Sequence, residues 1–280
     1  MQYRKLNFIL KSELANNTFM KLNISTVGII CISILGAILQ SCINNENYPE
    51  LYPTMGTVNN LSDYSINSDL YGDVIPKNPD IIRSYEADSI GQRILVNINF
   101  PNAEDKDSKV NTGKEVTIYD LYKVLTKKAD DLRLNNDEDK ESFGNDLIEI
   151  TYANISNEHL NIEFNISGSN ETIPHRISLL LTENTQIDDE GLLEVELRHN
   201  KNSDNGDKLY WGIASFTLSS IPEYSNANFK GFRIKYQSED NTTSETIVRL
   251  QSSSQTRIVR SMESSQEIGN RHSLFARQLQ

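Results

Sequence analysis

The sequence predicts an all-β protein, a small OB-like barrel followed by a seven-stranded β-sandwich, behind a single apolar export segment. Three observations predict it. Apolar residues recur at period two through most of the second half, the signature of strands buried on one face. Short turn-forming clusters such as Ser167-Gly168-Ser169-Asn170 and Asn202-Ser203-Asp204-Asn205-Gly206-Asp207 separate these pieces, a spacing that suits sandwiches and barrels. Only one stretch, Ile24 to Leu39, is long, apolar and free of charge.

That stretch reads ISTVGIICISILGAIL, follows Met20-Lys21 and runs into Leu39-Gln40-Ser41-Cys42. A membrane-spanning helix needs about 20 apolar residues, so the run reads as the h-region of a signal peptide. The cysteine following directly on Leu-x-Ser resembles the lipobox of bacterial lipoproteins. That resemblance implies cleavage between Ser41 and Cys42 and acylation of the Cys42 thiol and amine. Two acyl chains already give stable anchoring, at about 0.8 kcal/mol per buried methylene. Residues 1–41 are therefore the expected signal peptide, with Met20 an alternative start. Removing them takes away Arg4, Lys5, Lys11, Lys21 and Glu13, so the net charge of −12 becomes about −15. Such a balance repels phosphate backbones, so nucleic acid is not an expected partner. Cys31 leaves with the segment. Cys42 is then the sole cysteine, which excludes a disulfide framework or a disulfide-linked partner.

Residues 42–53, polar and holding Pro49 and Pro53, read as a tether. Residues 54–134 read as the barrel domain. Its short pieces are Met55 to Val58, Tyr64 to Leu70, and the clearest strand, Ile94 to Phe100, with Ile94, Val96, Ile98 and Phe100 on one face. Gly72, Pro76 and Pro79 mark a turn-rich interval, and Glu115 to Leu125 has mixed periods that suit a strand or a short helix. An OB barrel fits these pieces, and other small β-domains fit them too.

Residues 135–145 read as an acidic linker, inside a run that holds Asp130, Asp131, Asp137, Glu138, Asp139, Glu141 and Asp146. The regular ligand spacing of a calcium loop is missing. Residues 146–252 read as the sandwich. Ile148, Ile150 and Tyr152 share a face, and Leu160, Ile162, Phe164 and Ile166 alternate with Asn161, Glu163 and Asn165. Ile177 to Leu181, Leu193 to Leu197, Phe232 to Tyr236 and Thr246 to Leu250 follow the same pattern. Leu209 to Ser219 is apolar on both faces, which predicts a central strand. Residues 253–280, rich in Ser and Gln, read as a disordered tail.

Reactive constellations are sparse. His159, His175, His199 and His272 share no metal-helix spacing, so they read as strand-end polar residues and no metal or cofactor is expected. No nucleophile elbow, zincin motif or phosphate loop occurs, and the chain reads as a non-enzyme. Tyrosines crowd the stretch before Ile94. Tyr64, Tyr71 and Tyr85 are the candidates for stacking on a ligand ring, with capping of the barrel as the alternative.

Several blocks together are similar to the NigD-like lipoproteins of Gram-negative gut and oral bacteria. They are Gly91-Gln92-Arg93-Ile94-Leu95-Val96-Asn97, the run from Ile118 to Lys127, Gly144-Asn145-Asp146, Leu160 to Phe164, Leu197-Arg198-His199-Asn200 and Ser215 to Ser220. The likeness runs from the lipobox to about Leu250. It implies an N-terminal OB-like domain, a C-terminal sandwich and attachment to the outer membrane, with the periplasmic and surface faces both open. It implies a non-catalytic envelope interaction protein whose partner is an envelope protein or a toxin, as in bacteriocin immunity or envelope assembly. A surface glycan-binding lipoprotein is the alternative.

Overall fold

The computed structural model describes residues 49–107, 113–134, 139–156, 158–169, 173–239 and 242–250. The expected signal peptide, the Ser41–Cys42 cleavage and lipidation site, most of the tether, residues 135–138 of the linker and the 253–280 tail lie outside the described residues. Among the described residues no helix is long and apolar enough to cross a membrane.

Five strands close the first module: β1 (Tyr52–Val58), β2 (Ile66–Ser68), β3 (Gly72–Pro76), β4 (Arg93–Asn99) and β5 (Lys114–Lys123). The order around the barrel is β1-β2-β3-β5-β4, with β4 returning to β1 and only β3 and β5 parallel. A short helix, α1 (Asp80–Ser84), lies between β3 and β4 in the chain and buries Ile82. This is the OB arrangement. Ile94, Val96, Ile98 and Phe100 all enter the barrel core, with Val58, Ile66, Val74, Val116, Ile118 and Leu121. Glu115 to Leu125, which reads as strand or helix, is strand as far as Lys123. Its mixed period comes from a bulge, because Asn97 pairs with Asp120 while the next residue, Ile98, pairs with Ile118. Tyr119 is the extra residue, and it shifts the inward phase by one. β1 opens at Tyr52, inside the stretch that reads as tether, because Tyr52 and Pro53 pair with Ile98 and Asn97.

The second module is a sandwich of two sheets, with strand orders β14-β13-β11-β10-β7 and β6-β12-β9-β8. The seven expected strands are present as β8 (Glu149–Ser156), β9 (His159–Gly168), β10 (Arg176–Leu181), β11 (Leu192–Asn200), β12 (Lys208–Thr217), β13 (Gly231–Glu239) and β14 (Thr242–Arg249). Two short strands join them from the stretch that reads as the end of the barrel. β6 (Leu125–Lys128) pairs in parallel with β12, and β7 (Asp130–Asp131) pairs in parallel with β10. The chain thus leaves the barrel at Val124 and edges both sandwich sheets in turn. Parallel pairing to strands so distant in sequence leaves no local pattern, which is why the boundary near 134 falls too late.

The linker reading needs a similar correction over its described part. Lys140–Phe143 forms a 3-10 turn that Asp139 caps at the Glu141 amide, 3.2 Å away. Phe143 is buried beneath the Arg176 guanidinium, 4.0 Å from its ring centroid. Lys140 pairs with Glu196 of β11 at 2.7 Å. Acidic composition conceals this one apolar anchor. Gly144 follows at φ 72°, where a Cβ would lie 2.6 Å from the Asn200 Cβ, so glycine alone lets the segment lie this close to β11.

Candidate functional site

β12 explains its own sequence. Tyr210, Ala214 and Phe216 face the sandwich core, while Trp211 and Ile213 face outward onto Met55, Leu95 and Val124 of the barrel. The strand is central, and its second apolar face is the seam between the modules. Tyr122 and Tyr152 flank this patch. Tyr152 arrives there because β8 bulges: Ile150 pairs with Phe164, whereas Tyr152 pairs with Glu163. It therefore does not share a face with Ile148 and Ile150, as strict alternation predicts. Burial, with Asp120 and Tyr85 alongside, pushes the Tyr122 phenol up to about 12.

A polar network continues the seam. Arg93, fully buried at the start of β4, donates to both carboxylate oxygens of Asp69 at 2.7 and 2.6 Å and to Thr57 Oγ1 at 3.1 Å. It also reaches across to Asn161 Oδ1 on β9 at 3.3 Å. The same oxygen accepts from Ser215 Oγ at 2.7 Å. Asn161 Nδ2 donates to Ser156 Oγ at 2.8 Å, and Ser156 in turn donates to Asp69. Asn161 and Glu163 look like a solvent face in the sequence, yet both are buried under the barrel. Fork-to-carboxylate pairing orients Arg93 and Asp69 within the barrel, and through Asn161 and Ser156 this network ties the barrel to the sandwich. The available signal was β12, where two apolar faces demand a second covering surface.

The three candidate tyrosines do not form a platform. Tyr71 packs with Tyr52 and Phe100, at ring separations of 6.2 and 5.2 Å. Tyr64, at φ 55°, packs against the barrel core with the Arg83 guanidinium 5.5 Å from its ring centroid. Tyr85 ends α1 and is 40% exposed.

Two histidines that read as unrelated strand-end residues are brought together. His175 Nδ1 lies 2.8 Å from His199 Nε2, with the rings stacked at 5.0 Å. His199 Nδ1 lies 2.8 Å from the Leu147 carbonyl, and His175 Nε2 lies 3.3 Å from Asp204 Oδ2. All three side chains are buried. Burial, resisted by the Leu147 carbonyl and reinforced by His175, holds His199 down at about 4. Burial works against an ionised Asp204, but the Ser169 and Gly206 amides and His175 outweigh it and hold the carboxyl well below the usual range. The loop around Gly206 lies so close to β9 that a Cβ there would sit 1.9 Å from the Ser169 nitrogen. A groove of about 450 Å³ opens beside the dyad, lined in part by Asn145, Asp146, His199, Lys201 and Gln237. Every ring nitrogen of the dyad is engaged. His159 is buried at the start of β9, and His272 lies outside the described residues. Among the described residues no group of three or more His, Cys, Asp or Glu side chains is placed to hold a metal ion.

An OB-like barrel packed onto a β-sandwich defines the class of architecture. Residues 132–250 match the NigD-like C-terminal β-sandwich domain. The matched span takes in β8–β14 and begins just after β7. Three solved structures share the fold. A protein of unknown function from Bacteroides vulgatus is 20% identical, covering 73% of this chain and 93% of its own, with a TM-score of 0.54. A candidate toxin-related protein from Parabacteroides distasonis is 19% identical, with coverages of 73% and 95% and a TM-score of 0.55. A candidate lipoprotein from Bacteroides fragilis is 12% identical, with coverages of 73% and 100% and a TM-score of 0.50. No curated protein matches the sequence.

Proposed function

We propose that the chain is a non-catalytic interaction protein of the cell envelope, held at the outer membrane by lipid on Cys42. The observation that carries this reading is the seam. Arg93, Asp69, Asn161, Trp211 and Ile213 join two small β-modules into one body, which presents a fixed surface to a partner. The committed ring nitrogens of the His175–His199 dyad support a binding role over a catalytic one. The lipobox-like Leu39-Gln40-Ser41-Cys42 supports the anchor. The partner we favour is an envelope protein or a toxin. The glycan alternative needs a platform of exposed tyrosines, and it is weakened by the packing of Tyr64 and Tyr71 against the barrel core, which leaves Tyr85 as the exposed one of the three.

The test is photocrosslinking on intact cells, comparing the native chain with Cys42→Ser. Capture of one envelope or toxin protein by the anchored form supports the reading. Capture of glycan, or turnover of an envelope substrate by the purified chain, would overturn it.

A further inference from the structure

The chain of contacts Leu147 O, His199, His175, Asp204 has three gaps, at 2.8, 2.8 and 3.3 Å. Each gap needs one proton. Both ends are acceptors: a backbone carbonyl, and a carboxylate that already takes the Ser169 amide at 2.8 and 2.9 Å and the Gly206 amide at 2.9 Å. Two neutral imidazoles bring only two protons. With two, some pair of lone pairs must face each other inside a buried site, which costs the desolvation of an unmatched polar atom. A third proton removes the conflict, and it does so whichever ring carries it.

We propose that His175 and His199 together hold one proton more than two neutral rings, balanced by Asp204, and that this shared proton clamps one end of the sandwich. The clamp draws together the lead into β8, the end of β9, the start of β10, the end of β11 and the β11–β12 loop. The charged groups facing it are few. Asp146 and Lys201 act on His199 from opposite signs and pair with each other at 3.8 Å. Arg176, next to His175 in sequence, turns its guanidinium onto Phe143. Asp204 is the only anion in direct contact with the dyad among the described residues. When the proton leaves, the longest gap, His175 to Asp204, loses its donor, and the loop that holds the Ser169 and Gly206 amides is released.

Long-range nitrogen–proton spectra of the full chain, labelled in histidine, test this at about pH 8, above the ordinary imidazole range. The expected result is one extra ring proton on the His175–His199 pair. Four neutral rings at that pH would overturn the proposal. Asp204→Asn is the control, since its Oδ1 can still accept the two amides while its Nδ2 donates to His175 Nε2, so two protons then suffice. The extra proton should vanish in this variant, and its persistence would also refute the assignment. Amide exchange gives a second readout. Once the proton begins to leave, protection of the Ser169 and Gly206 amides should fall by up to tenfold per pH unit, since one proton is linked to closure. Protection indifferent to pH across that release would count against the clamp.

Discussion

Asp69→Ala strikes the seam where its cost can be worked out. Arg93 is fully buried and both of its terminal nitrogens rest on Asp69. Removing the carboxylate leaves a guanidinium with only Thr57 and Asn161 as partners, at 3.1 and 3.3 Å. Leaving one member of a buried pair uncompensated costs about 3–5 kcal/mol. For a chain of this size that lowers the midpoint by about 2–4 °C per kcal/mol. Arg93→Met in the Asp69→Ala background removes the stranded charge, so the double variant should be more stable than Asp69→Ala alone. The assay has a built-in reporter. The chain has one tryptophan, and Trp211 sits in the seam with its indole N–H 3.4 Å from Glu163 Oε2. Urea unfolding followed by tryptophan emission reads the seam, and circular dichroism reads the strands. In Asp69→Ala the emission transition should move to lower urea, ahead of the strand transition. A loss below about 1 kcal/mol, within the range of an exposed ion pair, with the two transitions still coincident, would refute the view that this network joins the modules.

Three further outcomes are expected. Cys42→Ser should move the protein from the membrane to the soluble fraction, because the thiol is the proposed acylation site; a variant that still pellets with membranes would exclude the anchor. Phe143→Ala should cost about 3–5 kcal/mol and admit protease between 139 and 145, whereas rapid cutting there in the native chain would show that the turn is not docked. His199, held down at about 4, binds fewer protons folded than unfolded below about pH 6.5. Its contribution is therefore present above that value and is lost as pH falls toward 4; with the one proton that the pair already holds at neutral pH, the net loss between pH 7 and pH 5 is roughly 1 kcal/mol. Urea midpoints at the two values measure it, and a flat profile that His199→Gln leaves unchanged would contradict the burial argument.

Most of the strand pattern was legible because burial on one face writes period two into the sequence. Leu160, Ile162, Phe164 and Ile166 needed no structure to be placed together. The errors fall where that rule is broken locally. Bulges at Tyr119 and between Ile150 and Tyr152 each insert one residue and reverse which face follows. β2 and β3 are so short, three and five residues, that alternation barely begins. The second class of error is non-local. His175 and His199 stand 24 positions apart, and nothing in their neighbourhoods says that β10 and β11 will pair at that register.

The seam belongs to both classes, and it shows what a one-face rule cannot express. Asn161 and Glu163 alternate with apolar residues, as an exposed face would, yet they are buried because a second module covers them. A polar covered face is tolerated only if its groups are satisfied. Asn161 meets that condition by accepting from Arg93 and Ser215 and donating to Ser156 and Asn154. Hydrophobic burial alone would let the barrel slide over Trp211 and Ile213, since such contacts have no direction. The bonds from Arg93 to Asn161 and from Ser156 to Asp69 do have direction, and the Arg93–Asp69 fork within the barrel holds their barrel ends in place. The fixed joint between barrel and sandwich therefore rests on the polar residues that look, in the sequence, least concerned with packing.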